Sequence, residues 1–286
     1  FIENIKNPPS EDEVLYTGCN TLVIAQILNS RMFEGLGMFG SFDLCCGEMY
    51  YRMGIFDTAR EAALRLKEAF APLRGKTVVF VCAACMNMIT NIYPAEFGID
   101  FGINGVFVSE WIMDKIHTGR TKIRNPIRKK ITIQDSCHSK MLGAAFTESP
   151  RELLSAAGCR ISEMKMTKAE SLCCGIAAGC AKFGLTDIAG ASMNRLLDTW
   201  KTGTDMTAAY CHGCLLSMSM VRWFMPWTPP VHPMIQIVQA ATGENPDFGL
   251  SMRRAGSMLF GIATATGPSL FSGSRFFLDS ICRDCC

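Results

Sequence analysis

Short runs rich in β-branched and aromatic residues recur along this chain and alternate with longer stretches of helical apolar spacing. Glu13–Tyr16, Thr77–Val81, Ile131–Gln134, Ile161–Met166 and Met206–Tyr210 predict strands. Phe56–Phe70, Pro150–Ala157 and Thr186–Thr199 predict helices, with apolar residues returning every three or four positions. Such alternation predicts an α/β fold with largely parallel sheets.

Cysteines punctuate this pattern at its turning points. Cys19 follows the first run, Cys82 ends the second, Cys137 follows the third and Cys211 ends the last. In a parallel sheet the carboxyl ends of all strands share one rim, where ligands bind beside helix N-termini. Cysteines far apart in sequence are therefore expected to converge.

Ten of the fifteen cysteines form one five-cysteine pattern written twice. The first copy is Cys19, the pair Cys45-Cys46 before Gly47, and Cys82-Ala-Ala-Cys85. The second is Cys137, the pair Cys173-Cys174 before Gly175, and Cys211-His-Gly-Cys214. Between pair and C-x-x-C lie 35 residues in the first copy and 36 in the second. The spacing from single cysteine to pair differs, at 25 residues against 35. Text outside the cysteines repeats too, at an offset of 125 where the segments open and 124 where they close: Gly105 through Thr118-Gly119 closes one half and Pro230 through Thr242-Gly243 the other. The order predicts a duplicated unit that binds the same inorganic cofactor twice. Expected boundaries are 1–120 for a first lobe, 121–130 for a basic linker, 131–247 for a second lobe and 248–286 for a C-terminal tail. The linker, with Lys122, Arg124, Arg128, Lys129 and Lys130 after Arg120, reads as a solvated segment. The other reading is a patch attracting an anionic substrate or an acidic partner.

Composition narrows the chemistry. The chain has 286 residues, 49% hydrophobic and 19% charged, enough for two buried cores. A net charge of +2, with cations spread along the chain, argues against nucleic acid as a partner. No run reaches the roughly eighteen apolar residues of a membrane span. The nearest, Ser257 to Leu270, is broken by Gly261, Gly267 and Pro268 and reads as a tail packing on this protein or a partner. Disulfide-dense scaffolds are small and secreted. Adjacent cysteine pairs suit two thiolates facing one polynuclear cluster better. A reducing, cytoplasmic compartment is expected, with membrane association only through a partner subunit. Zinc takes four ligands and is over-supplied by five thiolates per copy. Cubane clusters often use a tight C-x-x-C-x-x-C run that is absent here. The excess fits an iron–sulfur cluster of unusual shape, whose stoichiometry spacing alone does not give.

The pattern Cys-x(n)-Cys-Cys-Gly-x(n)-Cys-x-x-Cys, with Asp43-Leu-Cys-Cys-Gly and Tyr51-Arg-Met-Gly around it, resembles the CCG or cysteine-rich domain family. Over residues 13–245 the chain resembles the B-type subunit of heterodisulfide reductase and the catalytic part of the D-type subunit. The resemblance implies two pseudo-symmetric Rossmann-like lobes with parallel sheets, each carrying one CCG motif. It implies two 4Fe–4S clusters of noncubane type, held by Cys19, Cys45, Cys46, Cys82 and Cys85 and by Cys137, Cys173, Cys174, Cys211 and Cys214. The expected activity is that of a disulfide reductase subunit, an oxidoreductase cleaving a small disulfide to thiols. The expected partner is a ferredoxin-like iron–sulfur donor subunit linked to a flavoprotein. Departures from the family text are the short first spacing and the residues inside each C-x-x-C, where proline is frequent.

Cleavage between two facing clusters would need protons to release thiols. His138 and His212 are the candidates by position and titration range. Alternatively, they hydrogen-bond sulfur or backbone and tune potential. Lys140 reads as a surface lysine that could otherwise attract an anionic group, and His117 and His232 carry no expected role. Cys159 lies outside the repeat; Cys180, six residues after Cys174, reads as a small buried thiol, the other reading being an approach to the second site; and Cys282-Arg-Asp-Cys285-Cys286, half a metal site without a second half, reads as non-ligating. The rival class is a non-catalytic electron relay within a larger redox complex linked to flavin or quinone.

Overall fold

Two four-stranded sheets, each wholly parallel, organise the computed structural model, which describes residues 5, 7–19, 21–176 and 185–271. The first sheet contains β1 (Glu13–Tyr16), β2 (Gly37–Phe39), β3 (Thr77–Phe80) and β4 (Asn104–Phe107), in the order β2-β1-β3-β4. The second contains β5 (Lys130–Gln134), β6 (Arg160–Ile161), β7 (Met206–Ala209) and β8 (Val231–Pro233), ordered β6-β5-β7-β8. The same topology is thus built twice, as an α/β fold of two pseudo-symmetric lobes. Among the described residues, no helix is long and apolar enough to cross a membrane.

Helices return the chain between parallel strands. In the first lobe these are α1 (Thr21–Leu28), α2 (Glu48–Arg52), α3 (Phe56–Phe70), α4 (Ala83–Asn87), α5 (Tyr93–Phe97) and α6 (Val108–His117). The second has α7 (Ser139–Leu142), α8 (Ala144–Ala156), α9 (Leu185–Lys201), α10 (His212–Arg222) and α11 (Met234–Ala241), followed by α12 (Leu250–Phe271). Helix α3 shows why the pattern folds this way: Ala59, Ala62, Ala63, Leu66 and Phe70 are buried, one stripe at helical spacing. Phe70 stands edge-on to Tyr16 and Phe39 at 5.0 and 5.4 Å, so helix and sheet share an aromatic core.

Three differences from the sequence expectation have local causes. The run Ile161–Met166 is a strand only at Arg160–Ile161, where it pairs with β5 at the sheet edge. Beyond it Glu163 turns to Arg151, at 2.7 Å, and the Met166 carbonyl accepts from Arg195. The helix placed at Pro150–Ala157 starts at Ala144, after Gly143 turns the chain with φ 94°, and carries Pro150 inside it. The ten-residue shortfall between Cys19 and Cys45 is split between the segment leading into β2 and the loop from β2 to the pair. The strands themselves and their order are unaffected.

The lobes are joined by packing. Phe107 at the end of β4 meets Phe146 of α8 at 4.6 Å, and both face Tyr210 at about 6 Å. Ser109 and Ser149 share a buried hydrogen bond of 2.5 Å. Helix α12 lies on α10, with Gly256 against the indole of Trp223 and Arg254 hydrogen-bonded to Gln26 at 2.6 Å. Cys180, Cys282, Cys285 and Cys286 lie outside the described residues.

Because Phe70 is fully buried at the meeting point of α3 and the first sheet, Phe70→Ala should cost about 3–5 kcal/mol. Chemical denaturation of the full chain measures this. An exposed control, Phe42→Ala (61% exposed), should stay within about 0.5 kcal/mol of the parent.

Candidate functional site

The strand ends deliver the cysteines. Cys19 lies three residues beyond β1 and Cys137 three beyond β5, at equivalent places in the two sheets. Cys82 and Cys211 are each the residue just before a helix, α4 and α10, with extended backbone at φ −126° and −121°. In that position the Cys82 sulfur accepts backbone N–H groups of Ala84 and Cys85, while the second cysteine of each C-x-x-C falls in the first helical turn.

The glycine after each cysteine pair has a conformational reason. Gly47 has φ 68° and Gly175 φ 101°, backbone that L side chains rarely adopt. The turn directs each glycine N–H back to the first cysteine of the pair: Gly175 N–H donates to Cys173 Sγ at 3.3 Å, and Gly47 N–H to the Cys45 sulfur. A Cβ on Gly175 would lie 2.4 Å from the Ile188 carbonyl oxygen, and one on Gly47 2.7 Å from the Tyr93 hydroxyl. The carbonyl of each second cysteine is capped by hydroxyls. Cys46 receives Tyr93, and Cys174 receives Ser192 together with Ser217, the last at 2.9 Å.

All ten repeat cysteines then fall into one unbroken row. Hydrogen-bonding contacts run Cys19, Cys45, Cys46, Cys85, Cys82, and across the lobe boundary to Cys211, Cys214, Cys174, Cys173, Cys137. The second half repeats the first in reverse, so the lobes meet at Cys82 and Cys211. Cys46 and Cys85 sulfurs are 3.5 Å apart. The inner six cysteines are buried and the four at the two ends are half-buried. A cavity of ≈170 Å³ runs along the row, lined by nine of these ten cysteines. Cys173 reaches it through its contacts with Cys137 and Cys174.

Ionisation along the row is uneven. Thiols of Cys19 and Cys46 donate to Cys45 and, with the Gly47 N–H and against burial, hold it down at about 3. Cys82 is lowered in the same way by the thiols of Cys211 and Cys85. Their neighbours Cys19, Cys46 and Cys85 are pushed up, because each keeps the shared proton. Cys137, Cys174 and Cys214 are likewise raised, by bonds to adjacent cysteines and by burial. Five neighbouring thiols can all ionise only if cationic charge enters among them, which metal ions supply. The donor set therefore fits a thiolate-ligated polynuclear metal group in each half. Among the described residues, no cluster of three or more Cys, His, Asp or Glu forms a compact site for a single ion.

One wall is polar. Arg52, from α2 of the first lobe, reaches across to Cys137 Sγ of the second at 3.0 Å, lies 2.7 Å from His138 Nε2 and pairs with Glu48. Glu48 in turn lies 3.0 Å from His138 Nε2. Asn91 donates to Asn87 Oδ1, which leaves the Asn87 amide N–H pointing at His138 Nδ1, 3.2 Å away. Nε2 thus stands between a guanidinium, which can only donate, and a carboxylate, which accepts when ionised. Burial, followed by the charge of Arg52, pulls His138 down to about 4, so its imidazole is neutral at neutral pH. His212 is buried one residue beyond Cys211, does not line the cavity and has no hydrogen-bond partner at Nδ1. Lys140 and His117 are exposed; His232 is buried against Phe248; Cys159 is buried outside the row, its thiol raised to about 11 by desolvation. Arg52 and Glu48 carried no role in the sequence reading. Their signal is an acid–base pair at i, i+4 directly after Cys-Cys-Gly.

Two parallel-sheet lobes that pool five cysteines each in one buried row define a duplicated thiolate-ligating protein. The chain belongs to the cysteine-rich (CCG) domain family, which matches residues 14–90 and 131–219. It is 31% identical over 253 residues to the D-type subunit of the dihydromethanophenazine:CoB–CoM heterodisulfide reductase of Methanosarcina barkeri, covering 84% of this chain and 61% of that protein. An uncharacterized iron–sulfur protein of Methanocaldococcus jannaschii is 27% identical, over 72% of this chain and 41% of its own. The EtfAB:quinone oxidoreductase of Syntrophomonas wolfei is 24% identical, over 58% and 24%. The chain thus spans about three-fifths of the length of the heterodisulfide reductase subunits it resembles.

Gly175→Ala should destabilise more than Gly54→Ala. Both glycines have positive φ, but a Cβ on Gly54 meets open space whereas one on Gly175 meets the Ile188 carbonyl. The Gly54 change should cost about 1 kcal/mol of backbone strain. A thermal melt showing equal losses would contradict the steric account.

Proposed function

We propose that this chain is an iron–sulfur oxidoreductase subunit that reductively cleaves a small disulfide to two thiols at a pair of noncubane 4Fe–4S clusters, one in each half of the sulfur row. The observation that carries the reading is the row itself, in which two five-cysteine sets, nine of the ten cysteines lining one cavity, meet at Cys82 and Cys211. The names of the relatives, a heterodisulfide reductase subunit and an iron–sulfur protein, support it.

Cys19, Cys45, Cys46, Cys82 and Cys85 would hold one cluster, and Cys137, Cys173, Cys174, Cys211 and Cys214 the other. When bound, each would supply one of the two electrons that the S–S bond requires. The reaction also consumes two protons, and the polar wall is placed to provide them. His138 faces Glu48 through Nε2 beside Cys137, and Glu48 is 15% exposed, within reach of water. Glu48 takes each proton from solvent and hands it to the His138 ring, which passes it to a departing sulfur and returns to the neutral form, once for each thiol. Arg52 fixes Glu48 and the Cys137 sulfur in one arrangement. His212, outside the cavity, acts on the Cys211 sulfur through burial and its dipole. Electrons come from a ferredoxin-like iron–sulfur subunit linked to a flavoprotein.

A second reading, an electron relay in a flavin- or quinone-linked complex, is favoured by the burial of the six inner cysteines. Only the two ends of the row are half-buried, and Arg52 and His138 stand at the Cys137 end.

Anaerobically prepared protein should hold about eight irons per chain, as two four-iron clusters require. Elemental analysis returning zinc would overturn the assignment. Cys174→Ser should remove the second paramagnetic signal and spare most of the first.

Added thiol should perturb the spectrum of the oxidised clusters. His138→Asn should slow disulfide turnover at least tenfold with iron content unchanged, since an amide donates a hydrogen bond but shuttles no proton at neutral pH. No thiol response and no turnover across a panel of disulfides, with both clusters intact, would establish the relay.

A further inference from the structure

The two halves of the sulfur row have different charges behind them. On α9 of the second lobe, Arg195 is completely buried. Burying a guanidinium is costly and is tolerated only where its charge is answered. Nε donates to Gln134 Oε1 at 2.5 Å and Nη1 to the Met166 carbonyl at 2.7 Å. A carboxylate oxygen of Asp198 lies 3.6 Å from Nη1, and Nη2 has no hydrogen-bond partner. Burial lowers the Arg195 pKa, opposed by the charges of Asp198 and Asp135 and by the sulfurs of Cys214 and Cys174. Asp135 is already claimed by Arg151 at 2.8 and 2.9 Å. Gln134 extends the link, its amide N–H reaching Cys214 Sγ at 3.9 Å.

Among its described residues, the first lobe has nothing equivalent at this place. Tyr16 ends β1 where Gln134 ends β5, opposite Phe80 and Ala209 of the next strands. Tyr16 packs on Phe70 and Phe80 at 5.0 and 5.7 Å, and its hydroxyl is spent on the Leu44 carbonyl at 2.5 Å. The cation that acts on Cys45, Arg65, is exposed and screened by water. Reduction adds negative charge, which a buried cation stabilises far more than a screened one. We propose that Arg195, acting directly and through Gln134, sets the potential of the second cysteine set above that of the first. One electron delivered to the pair then resides in the second half. This rests on the two-cluster reading above.

The test is a dithionite titration of the iron-loaded full chain, followed by paramagnetic resonance at defined potentials. Wild type is compared with Arg195→Gln and Arg195→Lys, and Cys174→Ser identifies the first-half signal. The expected result is a lowered midpoint for the second-half signal in Arg195→Gln, an unmoved first-half signal, and a near-wild-type second midpoint in Arg195→Lys. Iron loss from Arg195→Gln alone, with Arg195→Lys retaining iron and midpoint, also supports a requirement for charge. Unmoved midpoints, equal movement of both signals, or iron loss from both variants alike would overturn the proposal and leave Arg195 a packing residue. Wild-type protein without two separable signals would instead sink the two-cluster reading, and this inference with it.

Discussion

Everything in this protein is arranged around the difficulty of keeping ten ionisable sulfurs together away from water. A buried thiolate is costly, and a second beside it more so. The fold answers with backbone amides from glycine turns and helix starts, hydroxyls on the cysteine carbonyls, and thiols that share protons along the row. None of these supplies net positive charge inside each set, so the geometry remains half an ionic structure that metal completes.

Duplication has preserved the devices that touch sulfur and relaxed the rest. Both glycines keep positive φ and both C-x-x-C pairs begin a helix. The capping hydroxyl is a tyrosine from the helical segment after β3 in one lobe, and two serines from α9 and α10 in the other. Requirements at the ligands are thus met by different side chains, provided the same atom receives the same bond.

Strands with strong β-branched character and the stripe of α3 were legible in the sequence because local pattern and buried face coincide there. β2, β4 and β8 were not: Gly37–Phe39 and Val231–Pro233 are only three residues long, and Asn104–Phe107 opens on Asn-Gly, a turn signal. Their identity comes from register against β1, β3 and β7, which is tertiary information. The cysteines were legible for the opposite reason, since ligand spacing is written in the chain itself. Arg195 was hidden because a charged residue on a predicted helix reads as solvated, and Arg52 because it fell outside the predicted elements. Only the folded arrangement shows that one crosses between lobes and the other faces inward.

The contact between Cys82 and Cys211 bears on how the protein is made. These two sulfurs sit at the centre of the row, buried, one from each half of the chain. The seam that closes over them is cemented by Phe107, Phe146 and Tyr210. Both sulfurs also line the cavity, so the lobes close around the place that a metal group would occupy. Joining the halves and completing the row are therefore one event, and the step of folding that closes the seam is also the one that finishes the site.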